Sequence, residues 1–218
     1  MASEIKTGKS NFEKLVEGTI HKGSTVLVQG KYGTGKTTFG LQYIVKGITD
    51  QGELGAFISL SDDREELLMD SKRFGWPVKR FEKIGTLNIL DSSSLEKKSG
   101  DKIKRIVESV EEKEIDRLVI DDVNKLKELY GGESSFKIKI HELKRKLREF
   151  ECTTLLTGDL DIGIEEIVDG VIILHYGGDG IEKTRTIEIR KMRRTEHTHR
   201  LRPFEITSKG IKITGPLE

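Results

Sequence analysis

Short apolar runs alternate along this chain with longer stretches in which apolar residues recur every three or four positions. Thr25-Val26-Leu27-Val28-Gln29 has the length and content of a buried strand, and Leu41, Ile44, Val45 and Ile48 follow at helical spacing. Ala56 to Leu60 predicts a second strand and 62–74 a helix; Thr86 to Leu90 predicts a third strand. Ile103, Ile106, Val107 and Val110 fall on one helical face, and Arg117 to Asp121 reads as a fourth strand. Phe136, Ile140, Leu143, Leu147 and Phe150 mark an amphipathic helix, followed by strands at 153–157 and 171–174. Ahead of all these, Ser10-Asn11-Phe12-Glu13 has the form of a capping box opening a short helix.

Strands that are apolar throughout, separated by helices, imply a mostly parallel sheet covered by helices on both faces, an α/β fold. The tail differs. Thr184 to Met192 alternates, and Phe204 to Ile213 reads as a strand pair around Ser208-Lys209-Gly210, predicting an antiparallel extension at the sheet edge. With no long linker or internal repeat, one domain over 1–218 is expected.

Gly30-Lys31-Tyr32-Gly33-Thr34-Gly35-Lys36-Thr37 stands between the first predicted strand and its helix and fits the phosphate-binding loop pattern. Gly30, Gly33 and Gly35 let backbone N–H groups close on phosphate oxygens, and the helix directs its positive end at the same anion. Lys36 is expected on the β- and γ-phosphates and the Thr37 hydroxyl on Mg²⁺; Thr34 and Thr38 belong to the same nucleotide-binding set. A nucleoside triphosphate is therefore the expected ligand.

The fourth strand ends in Asp121-Asp122. Parallel strands deliver their C-terminal ends to the ligand edge, where a carboxylate can hold Mg²⁺; Asp121 is the first choice and Asp122 the second, against a capping role. Two predicted strands lie between the loop and Asp121, so their strands are not expected to be neighbours. Such proteins carry a separate acid to activate water, and Asp62 or Asp63 is the candidate. Asp62 with Glu65, or Asp63 with Glu66, would equally well cap the next helix.

Lys and Arg total 38 against 37 Asp and Glu, so net charge gives no push toward nucleic acid or membrane. The one cysteine, Cys152, excludes an internal disulfide and reads as a small buried residue. No apolar run reaches membrane-spanning length, and a cytoplasmic protein is expected.

Gly35-Lys36-Thr37-Thr38-Phe39-Gly40-Leu41-Gln42-Tyr43, Phe74-Gly75-Trp76, Lys191-Met192-Arg193 with Thr195 and His197, and Arg202-Pro203-Phe204-Glu205-Ile206 together resemble the KaiC-like branch of the RecA-type ATPases, from Thr7 to Ile213. The resemblance implies a RecA-like P-loop core, ATP and Mg²⁺ as cofactors, and homo-oligomers, commonly hexameric rings, with ATP between subunits. It implies that Lys191 and Arg193 reach a neighbour's γ-phosphate, against the plainer reading of a charged edge strand. It makes Thr157 a γ-phosphate sensor. Two departures stand out. Ser61 and Asp62 occupy the place of the family's paired glutamates, which points to slow hydrolysis, and Arg194 replaces a glycine. With one domain, the autokinase activity of tandem-domain members does not carry over.

Three functions follow: an oligomeric ATPase; a RecA-like nucleic-acid binder, supported by the basic segment Lys183 to Arg202 but without aromatics for stacking; and a nucleotide-gated scaffold with little turnover. A His197/His199 metal site lacks a third ligand. Lys144-Arg145-Lys146 reads as a solvated helix face, and Tyr130-Gly131-Gly132-Glu133 and Gly177-Gly178-Asp179-Gly180 as loops.

Overall fold

The apolar runs become strands and the periodic stretches become helices. A computed structural model describes residues 4–5, 20–96, 101–177, 183–197 and 200–214. The expected capping box at Ser10, the residues Gly178, Asp179 and Gly180, and His199 lie outside these. The elements run β1 (Glu4–Ile5), β2 (Ile20–His21), β3 (Thr25–Gly30), α1 (Lys36–Lys46), a π-helical turn (Gly47–Gln51), β4 (Gly55–Ser59), α2 (Arg64–Arg73), α3 (Val78–Lys83) and β5 (Leu87–Leu90). They continue as α4 (Ser92–Glu96), α5 (Lys102–Glu112), β6 (Arg117–Asp121), α6 (Asn124–Leu129), α7 (Glu133–Glu149), β7 (Thr153–Gly158), β8 (Gly170–Gly177), β9 (Thr184–Met192), β10 (Arg202–Thr207) and β11 (Gly210–Ile213).

Among the described residues, nine strands form one sheet in the order β11-β10-β9-β8-β3-β7-β6-β4-β5, and β1 pairs with β2 apart from it. From β8 to β5 the pairing is parallel; β9, β10 and β11 add the antiparallel extension. The P-loop strand β3 and the Asp121 strand β6 are separated by β7 and so are not neighbours, as expected.

Successive strand residues point to opposite faces, so each strand feeds two cores. Val26, Val28, Phe57 and Val119 pack with α1, α2 and α3 on one face. Leu27, Ile58, Leu118 and Ile120 pack with α5, α6 and α7 on the other. The amphipathic stripe of α7 is confirmed by the burial of Phe136, Ile140, Leu143 and Leu147. Cys152 is fully buried, and its thiol is pushed up to about 12 by that burial.

Three helices went unforeseen. α3, α4 and α6 have six, five and six residues, too short to show a periodic stripe. α2 begins at Arg64 and not at Asp62, because the Asp63 carboxylate accepts from the Glu66 N–H at 2.9 Å and ends the helix there.

One expectation is overturned. Lys144 is not on a solvated face: it is only 9% exposed, and its Nζ donates to Asp169 Oδ1 at 2.9 Å and Ile167 O at 2.7 Å. Asp169 is itself 2% exposed and also receives Arg148 Nη2 at 3.0 Å and the Thr25 N–H at 3.1 Å. This cluster fastens α7 to the start of β3 and β8. Asp169→Ala would strand Lys144 in the interior and is expected to cost about 3–5 kcal/mol, read from the denaturant midpoint. Burial raises the Asp169 carboxyl, but Lys144, Thr25 and Arg148 together hold it below its ordinary value. Its contribution is therefore full above about pH 4, the unfolded carboxyl value, and is lost as pH falls further.

Candidate nucleotide site

β3 ends in a loop that must reverse direction within five residues to start α1, and its glycines permit it. Gly35 caps α1 at φ +103, a conformation rare for residues with a Cβ. A Cβ on Gly30 would lie 2.5 Å from Thr34 Oγ1 and 2.6 Å from Leu174 O, so only glycine fits between the loop and β8. Gly33 is also left-handed at φ +78. Thr34 turns inward, buried, its hydroxyl donating to Lys31 O at 2.9 Å. Its side chain braces the loop. Thr38 stands half-buried in the first turn of α1.

Lys36 Nζ donates to Gly30 O at 2.6 Å and pairs with Asp159 Oδ1 at 3.2 Å. The Thr37 hydroxyl donates to Asp121 Oδ2 at 2.8 Å across 84 residues of sequence. Thr157, at the end of β7, donates to Asp121 Oδ1. Lys36, Thr37, Asp121 and Thr157 thus meet at the C-terminal edge of β3, β6 and β7. Burial pushes the Asp121 carboxyl above the ordinary range against the pull of the two threonine hydroxyls, while Asp122 and Asp62 add negative charge.

The donor set suits Mg²⁺. A carboxylate and a hydroxyl oxygen side by side, next to a phosphate-binding loop, are the two protein ligands this cation takes when substrate phosphates and waters supply the rest. A buried carboxylate whose nearest charges are negative gains most from a cation. No group of three or more His, Cys, Asp or Glu that could hold a metal occurs among the described residues.

Asp62 and Asp63 diverge. Asp63 caps α2, whereas the Asp62 backbone N–H donates to Ser59 Oγ at 3.0 Å and its carboxylate makes no such cap. Burial first, then the charges of Glu66 and Asp70, raise the Asp62 carboxyl. Asp122 caps the segment after β6, accepting from the Asn124 N–H at 2.9 Å.

Lys191 and Arg193 lie elsewhere. Gly30 is opposite Leu174, but Met192 is opposite Gly170, so the two cations sit at the other edge of the sheet from their own P-loop. Four residues of β8 separate these levels, about 13 Å of strand. Lys191 Nζ donates to Val168 O at 2.7 Å and Glu165 O at 2.9 Å, and burial followed by the Arg193 charge lowers its pKa. Arg193 is half-exposed, 3.9 Å from Asp169.

Among the described residues the cations of the basic segment are engaged in different ways. Arg190 pairs with Glu188, Arg202 is buried, and Arg185 reaches Gly33 O at 3.3 Å with its guanidinium 4.3 Å from the Tyr176 ring. Asp159 is a site residue that the sequence did not single out, and Arg185, read from the sequence only as part of the basic segment, also reaches the loop. Asp159 follows Thr157 by two positions at the end of β7, and that placement was its one visible signal. No helix among the described residues is long and apolar enough to cross a membrane.

Comparison with known proteins accords with this geometry. The family model described as "ATPase: KaiC" matches residues 5–218. A UPF0273 protein of Thermotoga maritima is 32% identical over 236 residues, covering 98% of this chain and 96% of that protein. The circadian clock oscillator protein KaiC of Synechococcus elongatus is 29% identical over 228 residues, which is 97% of this chain but 44% of that protein. The crystal structure of a KaiC-like protein from Pyrococcus horikoshii superposes with a TM-score of 0.87 at 34% identity, over 99% of this chain and 100% of that one.

Proposed function

Because the chain belongs to the KaiC family of ATPases, we propose that it binds ATP with Mg²⁺ at Lys36, Thr37 and Asp121 and hydrolyses it slowly as a ring-shaped homo-oligomer, a hexamer by family resemblance. The convergence of Thr37 and Asp121 beside the P-loop carries this reading, because two residues so far apart in sequence meet where a phosphate-bound cation would lie. Gly30, Gly33, Thr34, Gly35 and Thr38 shape the phosphate cradle. Lys36 exchanges Asp159 for the β- and γ-phosphates. Thr157 holds Asp121 on the metal side and senses the γ-phosphate.

Arg193 acts in trans. Its position at the sheet edge away from its own loop suits contact with a neighbour's nucleotide, where a cation offsets charge developing on the transferred phosphoryl group. Lys191, held by carbonyls of its own subunit, aligns the strand that presents Arg193. Asp62 is the acid that orients water, since Asp63 is engaged as a cap. Nucleotide state then controls assembly or a partner.

Steady-state ATP turnover with Mg²⁺, measured alongside size by light scattering, tests the reading. Turnover that rises with assembly supports it; tight ATP binding with no turnover replaces it with a nucleotide-gated scaffold. Asp62→Asn is expected to lower turnover by about 10²-fold or more with ATP affinity little changed. In the wild type the rate should climb as pH rises through the elevated Asp62 value, and this acid limb should vanish in the variant. An unchanged pH profile would remove Asp62 from the mechanism.

A further inference from the structure

α2, the loop Phe74-Gly75-Trp76-Pro77 and α3 enclose an open cleft of about 980 Å³, away from the P-loop. Its floor is apolar: Leu68, Trp76, Pro77 and Met69, the last 64% exposed. Its rim is cationic. Lys72, Lys79 and Arg80 line it, are exposed, and make no ion pair among the described residues. Against them stands one lining acid, Glu65. A chain of net charge +1 has no general excess of base to explain such a cluster.

The cleft is also pre-shaped. Arg64 grips Glu82 through two hydrogen bonds of 3.0 and 2.8 Å, locking α2 to α3. The Trp76 ring lies 4.6 Å from that of Phe74 and so close to Gly210 that a Cβ there would come within 2.6 Å of it. A fixed indole beside exposed methionine, ringed by arginine and lysine, has the composition of a binding hot spot: an apolar anchor point with a charged rim that selects the partner.

The geometry points to this cleft as a docking site for an acidic peptide segment of a partner protein, carrying an apolar anchor side chain. The anchor packs on Trp76 and Met69. The carboxylates meet Lys72, Lys79 and Arg80, which lose their mutual repulsion on binding. The surface is independent of the nucleotide reading, since none of its lining residues belongs to the P-loop or the Asp121 cluster.

Trp76 is the only tryptophan in the chain, so its fluorescence reports on the cleft directly. The probe is a synthetic amphipathic peptide with Leu at i, i+4 positions and Glu elsewhere; the control replaces each Glu with Lys. The Glu peptide is expected to shift Trp76 emission saturably, with affinity falling as salt rises. Lys72→Glu, Lys79→Glu and Arg80→Glu combined should weaken it by about tenfold or more. ATP binding and the thermal midpoint should stay at wild-type values, which separates lost docking from lost folding. An equal response to the Lys peptide, or no response to either, overturns the proposal. So does an emission shift that follows protein concentration without peptide, which would assign the cleft to a second copy of this chain.

Discussion

Arg193→Ala is expected to lower ATP turnover by about 10³-fold or more while ATP affinity and folding persist. The size follows from the role: a guanidinium supplied by a neighbour contributes chiefly to the transition state, where charge spreads over the phosphoryl oxygens. Folding persists because Asp169, its nearest acid, keeps Lys144 and Arg148. The trans arrangement makes a sharper forecast. Lys36→Ala protein cannot use its own site but still presents Arg193, and Arg193→Ala protein has the reverse defect. Mixing the two should restore part of the activity that neither has alone. Turnover by Arg193→Ala at the wild-type rate would end the trans reading. Mixtures that stay inactive, with mixed oligomers demonstrated by light scattering, would place Arg193 in its own subunit's chemistry.

The second large effect is expected at Lys36 itself. Lys36→Ala should weaken triphosphate binding by at least about 10²-fold, measured by titration with a fluorescent ATP analogue. The ammonium leaves only a hydrogen bond to Gly30 O and an ion pair to Asp159, whose side chain is 62% exposed, so the fold should lose little. Asp159→Asn should act in the opposite direction and modestly, because it frees Lys36 from a competing carboxylate. Unchanged ATP affinity in Lys36→Ala would sink the P-loop assignment.

Much of the architecture was legible in the sequence because its signals are local. Val26-Leu27-Val28 and Leu118-Val119-Ile120 are apolar at every position, and such runs belong in a sheet covered on both faces. The expected RecA-like α/β core with an antiparallel edge is the fold observed, and the family suggested by Phe74-Gly75-Trp76 and Lys191-Met192-Arg193 is the one matched. Lys144 was misjudged for a physical reason. On α7 it lies one residue after Leu143, at the border of the apolar stripe, and a long side chain there can turn inward when a buried acid awaits it. That acid, Asp169, is 25 residues away in sequence. Asp62 and Asp63 were indistinguishable as letters; hydrogen bonding at the start of α2 separated them.

The sequence by itself showed the strands of the large sheet and the longer helices, the mostly parallel character of that sheet, the phosphate-loop pattern and the acid at the end of β6, because strand and helix periodicity and loop chemistry are written in neighbouring residues. Tertiary structure alone decided which distant groups meet. It set Thr37 and Thr157 on Asp121, Asp159 on Lys36 and Arg185 on the loop, and it put Lys191 and Arg193 at the edge away from their own P-loop. Those relations depend on strand order and register in the sheet. Both are settled by how two cores close on opposite faces, and no short stretch of sequence encodes that closure.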